Sequence, residues 1–267
     1  MRLSIVIPVL NESGLIAEFL RQLRRAAPDA QIIVVDGGSH DDTVARARPL
    51  ADLVFTAGRG RGRQMNSGAS VADGELLWFL HADAIISREA MSELLEFMCV
   101  ATHVGGCFSL RIVPTRWIYR IRDALGNACV DLFGIALGDR GLFCRRSTFE
   151  QVGGFTSEGL FEDANLYRAL RRAGITRRLR ATISTSSRRY EAQGPIRTCL
   201  FYGFVMLLYW LGVNRKILER LVFCFVSSPD AGKIKTPRDL ARADSTRPVL
   251  GQPSSLPFKP DLRKTHP

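Results

Sequence analysis

The chain has 267 residues, of which 46% are hydrophobic and 24% are charged. This length allows a large core without disulfides, and the composition argues against wholesale disorder and against a multi-span membrane protein. The formal net charge of +11 indicates an anionic partner, and composition alone leaves nucleic acid, a phosphorylated ligand and a membrane surface open.

Six cysteines are scattered along the chain without a Cys-x-x-Cys pair or a histidine at zinc-ligand spacing. We therefore expect buried, reduced thiols, no structural zinc site and a cytoplasmic protein. The apolar run at residues 3–10 is broken by Asn11 and Glu12. This pattern predicts a first strand rather than a signal peptide.

Apolar runs alternate with helical patterns through about the first 100 residues. The runs predict strands over residues 3–9, 31–35, 53–56 and 76–80, with helices between them and a helix from Gln64 to Val71. Near-continuous apolar strands that alternate with helices indicate an α/β fold with a mostly parallel, doubly wound sheet flanked by helices. Polar insertions follow the strands directly, at the edge where such sheets bind ligands.

The second part of the chain is organised differently. We predict a strand over residues 107–113, helices over 117–133 and from 162 to 172, and a strand near 182–186. Residues 199–213 are almost wholly apolar, and prolines concentrate beyond residue 229. The predicted organisation is a domain over residues 1–195 that divides after residue 104, an apolar or amphipathic helical segment at 196–228, and a disordered tail at 229–267.

Two acidic positions stand directly after predicted strands. A carboxylate at Asp36 is placed to bond a nucleobase or a ribose hydroxyl, and the alternative is a turn aspartate that caps its own backbone. Asp83 and His81 offer oxygen and imidazole to a divalent ion that binds a diphosphate. The alternative for this pair is a solvated turn.

Arginines and a second acidic pair are further candidates. The alternating Gly-Arg segment at residues 58–63 suits a phosphate, although it is neither a Walker A loop nor a dinucleotide fingerprint, and a solvated loop is the alternative. Glu162 and Asp163 open a predicted helix, where the dipole favours a carboxylate that accepts a proton. On spacing alone, a plain helix-start preference for acidic residues is the better explanation. Arg188 and Arg189 either neutralise a leaving diphosphate or form a surface pair.

Taken together, these motifs resemble family 2 glycosyltransferases of the GT-A fold. They are Pro-Val-Leu-Asn-Glu at 8–12, Asp-Gly-Gly-Ser at 36–39, the Gly-Arg segment running into Gln-Met-Asn at 64–66, His-Ala-Asp at 81–83, Gly-Gly-Phe at 153–155 and Glu-Asp at 162–163. Within the family, the amino-acid sequence around residues 58–66 and 80–83 resembles that of the small bacterial branch described as rSAM/selenodomain-associated or arsenosugar-type transferases.

The resemblance implies an inverting transfer of a sugar from a nucleoside-diphosphate donor to a hydroxyl acceptor that is a small molecule or lipid-like. The Gln-x-x-Arg-Trp signature of processive synthases is absent, so a single transfer is expected. Residues 1–104 then form a nucleotide-binding half and residues 105–195 an acceptor half. A nucleotidyltransferase is disfavoured because Pro-x-x-Asn-Glu, and no glycine-rich signature, follows the first strand.

The resemblance also implies roles for individual residues. Asp163 is the base within the Glu162-Asp163 motif, and Asp83, next to His81, binds Mg²⁺ or Mn²⁺. His81 stands where many relatives have an aspartate, and Gly37 replaces a second aspartate after Asp36. The residues implied at the donor are Pro8, Asn11, Glu12 and Asp36 for the nucleoside, and Arg61 and Asn66 for the ribose or phosphates.

The charge distribution bears on the remaining partners. Residues 1–110 carry 10 Lys and Arg against 13 Asp and Glu, so the basic excess lies beyond residue 110. This favours an acidic acceptor or peripheral contact with the cytoplasmic face of the inner membrane over nucleic acid. Residues 199–213 suit a helix in the bilayer interface or, equally, a core or dimer helix. A non-catalytic protein on a degenerate GT-A fold, binding membrane surfaces or nucleic acid, is the competing hypothesis.

Overall fold

The computed structural model describes residues 2–136, 140–156 and 161–226, apart from the side chains of Arg188, Arg189, Arg215 and Val226. These residues belong to one structural unit that extends from Met1 to Ala231. The tail predicted at residues 229–267 lies outside the described residues, and the divisions at residues 104 and 195 stay predictions.

Eight strands of the described residues form one sheet. They are β1 (Leu3–Val9), β2 (Gln31–Asp36), β3 (Leu53–Thr56), β4 (Leu76–Phe79), β5 (Ile85–Ile86), β6 (His103–Val113), β7 (Phe143–Arg145) and β8 (Ile175–Ser186). Their order is β3-β2-β1-β4-β7-β6-β8-β5. Strands β1 to β4 are mutually parallel, and β7 runs antiparallel to both β4 and β6. Since β8 is parallel to β6, β1 to β4, β6 and β8 all end at one edge, which we call the carboxyl edge.

The described residues also form ten helices. They are α1 (Ile16–Ala26), α2 (Thr43–Ala47), α3 (Arg61–Ser70), α4 (Ala90–Met98), α5 (Trp117–Phe133), α6 (Arg146–Gln151), α7 (Glu162–Ala173), α8 (Arg188–Gln193), α9 (Pro195–Trp210) and α10 (Arg215–Val226). The helix predicted over residues 117–133 is confirmed with those bounds. None of the described helices is long and apolar enough to cross a membrane.

Alternate residues of β1 show why the sheet is covered on both faces. Ile5 and Ile7 pack into the core layer that holds α1 and α4, whereas Val6 packs into the layer that holds α3 and α7. A Cβ at Gly68 would stand 2.3 Å from the Val6 side chain, so α3 approaches the sheet more closely than any larger residue would allow. The predicted α/β fold with helices on both sides is confirmed.

Some predicted elements differ from the structure. Helix α3 begins at Arg61, three residues before the predicted start, so Arg61 and Arg63 lie on a helical turn rather than in a loop. Gly60, with φ of 132°, makes this early start possible because it adopts a backbone conformation that other residues avoid. The predicted strands at 107–113 and 182–186 are the carboxyl ends of the longer β6 and β8.

The cysteines are not all buried, which corrects the expectation from their spacing. All six are free; Cys107, Cys144 and Cys199 are buried, whereas Cys99 and Cys224 are exposed. Burial raises the pKa of the Cys107 thiol to about 12. Cys99 and Cys224 therefore lie outside the core, and the reduced state of the thiols stays a prediction.

Candidate active site at the carboxyl edge

The loops that follow β1 and β2 are joined to each other by hydrogen bonds. The Asn11 N–H donates to Ser39 Oγ at 2.9 Å, and the His40 N–H donates to Asn11 Oδ1 at 2.9 Å. The Glu12 N–H donates to Thr43 Oγ1 at 2.8 Å. Asn11 adopts φ of 55°, a left-handed conformation that asparagine tolerates better than most residues. The two loops therefore hold Asn11 and Glu12 in a fixed arrangement.

The side chain of Asp36 accepts hydrogen bonds from the turn that follows it. Its carboxylate is 2% exposed and accepts bonds from the Gly38 N–H at 2.9 Å, the Ser39 N–H at 3.0 Å and Ser39 Oγ at 2.5 Å. This geometry matches the turn-capping alternative, and a contact between Asp36 and a nucleoside stays a prediction. Pro8 is buried within β1, opposite Val35.

Gln64, which the sequence reasoning did not single out, joins the ends of β1 and β2. The side chain is 3% exposed, and Nε2 donates to the Val9 carbonyl at 2.9 Å and to the Val35 carbonyl at 2.8 Å. A Cβ at Gly37 would stand 3.0 Å from Gln64 Oε1. The glycine that departs from the family pattern thus makes room for Gln64. The available sequence signal was the position of this glutamine in the Gln-Met-Asn motif at residues 64–66.

The side-chain amide of Asn66 links helix α3 to the Gly-Gly-Phe turn at residues 153–155. Asn66 Nδ2 donates to the Phe155 carbonyl, and the Phe155 N–H donates to Asn66 Oδ1, both at 2.9 Å. A Cβ at Gly62 would meet the Thr156 carbonyl at 2.7 Å, so the turn and the start of α3 touch. Asn66 therefore positions the turn, and its predicted contact with ribose or phosphate is untested.

The two acidic residues at the start of α7 lie beside the start of α3. Glu162 and Asp163 are 7% and 9% exposed, and Arg61 Nε lies 3.3 Å from Glu162 Oε1. The preceding Phe161 has φ of 81°, which is unusual for a bulky residue. Such strained backbone conformations cluster at functional sites. The ion pair brings the acidic helix start to the arginine predicted to bind phosphate.

Asp83 and His81 follow β4, as predicted, and Asp83 lies near the end of β8. Thr185 Oγ1 donates to Asp83 Oδ2 at 3.4 Å. Within the described residues no three His, Cys, Asp or Glu side chains cluster closely enough to hold a metal ion. A Mg²⁺-type ion nevertheless commonly uses one or two protein carboxylates together with substrate phosphates and water. Asp83 fits that open kind of site and not a closed protein cage.

Arg188 and Arg189 begin α8 directly after β8, and their side chains lie outside the described residues. Helix α8 is anchored from α5, because Tyr119 Oη donates to Glu191 Oε1 at 2.8 Å and Arg116 lies 3.2 Å from Glu191 Oε2. Burial and the neighbouring Glu191 carboxylate raise the pKa of Tyr119. The backbone places both arginines at the carboxyl edge.

Comparison with known proteins agrees with this arrangement. Residues 4–153, more than half of the chain, match the family described as Glycosyl transferase family 2. An uncharacterised glycosyltransferase of Nostoc sp. is 26% identical over 121 residues, 42% of this chain and 38% of that protein. A Mycobacterium tuberculosis protein described as a glycosyltransferase is 33% identical over 131 residues, 44% of this chain and 38% of its own length. The chain thus spans about two fifths of these curated relatives.

Solved structures share the fold. A Pyrobaculum calidifontis mannosyltransferase in complex with GDP-Man and Mn²⁺ aligns over 93% of this chain and 76% of its own, with a TM-score of 0.58 and 17% identity. Residues 1–349 of S. aureus TarS in complex with UDP-GlcNAc align over 70% of this chain and 58% of theirs, with a TM-score of 0.55 and 18% identity. At such identities the likeness shows a common architecture.

Proposed function

Since this chain belongs to glycosyl transferase family 2, we propose that it moves one sugar from a nucleoside-diphosphate donor to a hydroxyl acceptor, with inversion at the anomeric carbon. The observation that carries the proposal is the ion pair between Arg61 and Glu162. This ion pair joins the start of α3, where Arg61 would hold the diphosphate, to the start of α7, which carries Glu162 and Asp163. A donor and an acceptor bound on either side of this contact would meet there.

The proposed chemistry is a single in-line displacement. Asp163 accepts the proton of the acceptor hydroxyl, and the oxygen forms a bond to the anomeric carbon as the bond to the diphosphate oxygen breaks. Proton transfer by a positioned carboxylate is typically worth about 10²–10⁴ in rate. Inversion follows because attack occurs opposite the leaving group. Glu162, paired with Arg61, would position the helix start and not take the proton itself.

The donor would be held by both halves of the carboxyl edge. The loop that contains Asn11 and Glu12 would contact the nucleoside, and Arg61, Arg188 and Arg189 would stabilise negative charge on the departing diphosphate. Asp83, with His81 beside it, would hold a Mg²⁺ or Mn²⁺ ion, which when bound supplies Lewis-acid stabilisation of the leaving group. The structural relatives in complex with GDP-Man and Mn²⁺ and with UDP-GlcNAc support this donor class.

We further propose a small or lipid-like acceptor and membership of the small bacterial rSAM/selenodomain-associated branch. What supports the branch is the resemblance of its sequences to the Gly-Arg segment running into Gln-Met-Asn at residues 64–66. The six free cysteines support a cytoplasmic location, since reducing compartments keep thiols unpaired.

Nucleotide-sugar hydrolysis tests the proposal without a known acceptor. The full chain is incubated with a panel of nucleotide sugars and Mn²⁺, and release of nucleoside diphosphate is measured. We expect slow hydrolysis of one donor, reduced at least about 100-fold in Asp163→Asn with donor binding by thermal shift unchanged. Asp29→Asn, an exposed aspartate between α1 and β2, is the matched control and should keep full activity.

Two results would contradict the proposal. Undiminished hydrolysis in Asp163→Asn would remove this residue as the base. Absence of any thermal shift with nucleoside diphosphates, together with salt-sensitive binding to RNA, would instead favour the non-catalytic hypothesis. Comparison by NMR of the anomeric configuration of the sugar product with that of the donor tests inversion separately.

A further inference from the structure

Helix α5 presents a row of apolar side chains to solvent. Trp117, Ile121, Leu125 and Leu132 repeat at helical spacing, and each is between 49% and 72% exposed. The opposite side of α5, which includes Tyr119, is buried against the sheet. A soluble helix normally turns its apolar stripe toward the core, so this second stripe has no partner among the described residues.

Helix α9 carries a matching row. Ile196, Leu200, Phe204 and Leu207 are each between 50% and 67% exposed, and Arg197 is the one charged residue from Pro195 to Trp210. A helix that is apolar on all sides is ordinarily buried in protein or in lipid. Here one side packs on the protein and the other does not.

The two helices contact each other at their carboxyl ends. The rings of Phe133, which ends α5, and Trp210, which ends α9, lie 5.9 Å apart, and both side chains are more than half exposed. We define the α5–α9 surface as the exposed rows of these two helices together with these two rings. Clusters of exposed apolar side chains are typical of interaction sites with proteins or membranes.

The charged residues of these helices indicate which kind of partner the α5–α9 surface binds. Helices α5, α9 and α10 together carry six Lys and Arg against three acidic residues. Of the acids, Asp123 is buried, and Asp131 binds the guanidinium of Arg178 through Nε and Nη2. Arg120 and Lys216 are exposed. Asp123 also pairs with Arg122 at 3.1 Å. The three helices therefore carry more basic than acidic residues.

We propose that the α5–α9 surface binds the surface of an anionic lipid bilayer, with the helices lying in the interface. Exposed Trp, Phe and Leu side chains enter the headgroup boundary while Arg and Lys contact anionic headgroups. A second copy of the chain fits less well, because an isologous interface would set like positive charges against each other.

The surface is also connected to the proposed active site. Phe161, which immediately precedes Glu162, packs on Tyr209 of α9 with ring centroids 4.7 Å apart. Arg168 of α7 lies 5.4 Å from the centroid of the same Tyr209 ring. Binding through α9 would hold α7, which carries the proposed base Asp163, close to the bilayer.

Vesicle co-sedimentation of the full chain tests this inference. We expect binding to vesicles of phosphatidylcholine mixed with phosphatidylglycerol, weaker binding at high salt, and little binding to phosphatidylcholine alone. Arg120→Gln should bind about fivefold more weakly, since one basic residue near the membrane is worth about 1 kcal/mol. Leu200→Asp combined with Leu207→Asp should bind at least about tenfold more weakly.

Val100→Asp is the matched control, because Val100 is 47% exposed and follows α4 on the other face of the sheet. It should bind like the parent. Equal binding by the parent and the double aspartate variant, or no binding of the parent to anionic vesicles, would overturn the inference. So would a parent dimer in light scattering that the double variant dissociates without any vesicle binding. Arg120→Gln carries the test if the double variant loses its circular-dichroism signature.

Discussion

Replacing Gln64 by leucine removes the amide that joins the ends of β1 and β2 while keeping a side chain of similar size. The amide makes two buried hydrogen bonds, to the Val9 and Val35 carbonyls at 2.9 and 2.8 Å. Each such bond contributes a net of about 1 kcal/mol. The Val9 carbonyl still accepts a bond from the Gly37 N–H at 2.9 Å, so only part of the desolvation penalty is added.

We therefore expect Gln64→Leu to lower the free energy of unfolding by about 2 kcal/mol. For a protein of this size that corresponds to a melting temperature about 4–8 °C lower. Urea denaturation followed by circular dichroism measures the change. Gln22→Leu, which removes an exposed bond to Glu18, is the control and should change stability by less than about 0.5 kcal/mol.

The same substitution has a second readout at the donor site. Gln64 bonds the ends of both strands that lead to Asn11 and Asp36, so we expect the KM for the donor to rise more than kcat falls. Gln64→Leu with the unfolding free energy of the parent would refute the reasoning that this amide holds the two strand ends together. Lost stability with an unchanged KM would limit its role to the fold.

Two further predictions follow from single side chains. A thiol reagent should label Cys99 and Cys224 quickly in the native protein, whereas Cys107 should react only on unfolding because burial raises its pKa to about 12; fast native labelling of all thiols, read by mass spectrometry, would contradict the packing. The hydroxyl of Thr43 holds the pKa of Asp41 well below its usual range, so this bond stabilises the fold above about pH 4 and is lost as pH falls through the lowered pKa. Asp41→Asn should flatten the acid limb of stability against pH, and an unchanged limb would refute the assignment.

The fold was largely predictable because its first strands are buried on both faces. Residues such as Ile5, Val6 and Ile7 must all be apolar when helices cover the sheet on both sides, so the runs were visible in the sequence. Strands β5 and β7 were not predicted, because two or three residues are too few to show a period. Strand β8 was only half predicted, since exposed Arg177 and Arg180 interrupt its apolar pattern.

The location of the candidate site was predictable from the sequence, but the contacts of its individual residues were not. Placement of Asn11, Asp36 and Asp83 after strands follows from the order of elements alone. What Asp36 and Asn66 contact does not follow, because a hydrogen bond to the backbone leaves no mark on its partner's residue type. Asn66 and Phe155 are 89 residues apart in the chain, and nothing local links them.

The sequence by itself determined the alternation of strands and helices, the edge at which polar residues gather, and the basic excess beyond residue 110. Tertiary structure alone decided that α3 begins at Arg61, that this arginine meets Glu162, and that α5 and α9, which contact each other through Phe133 and Trp210, each expose an apolar row. The reason is physical: periodicity and turn chemistry act between near neighbours, whereas ion pairs, buried amide bonds and uncovered faces depend on which distant segments the packed sheet brings together.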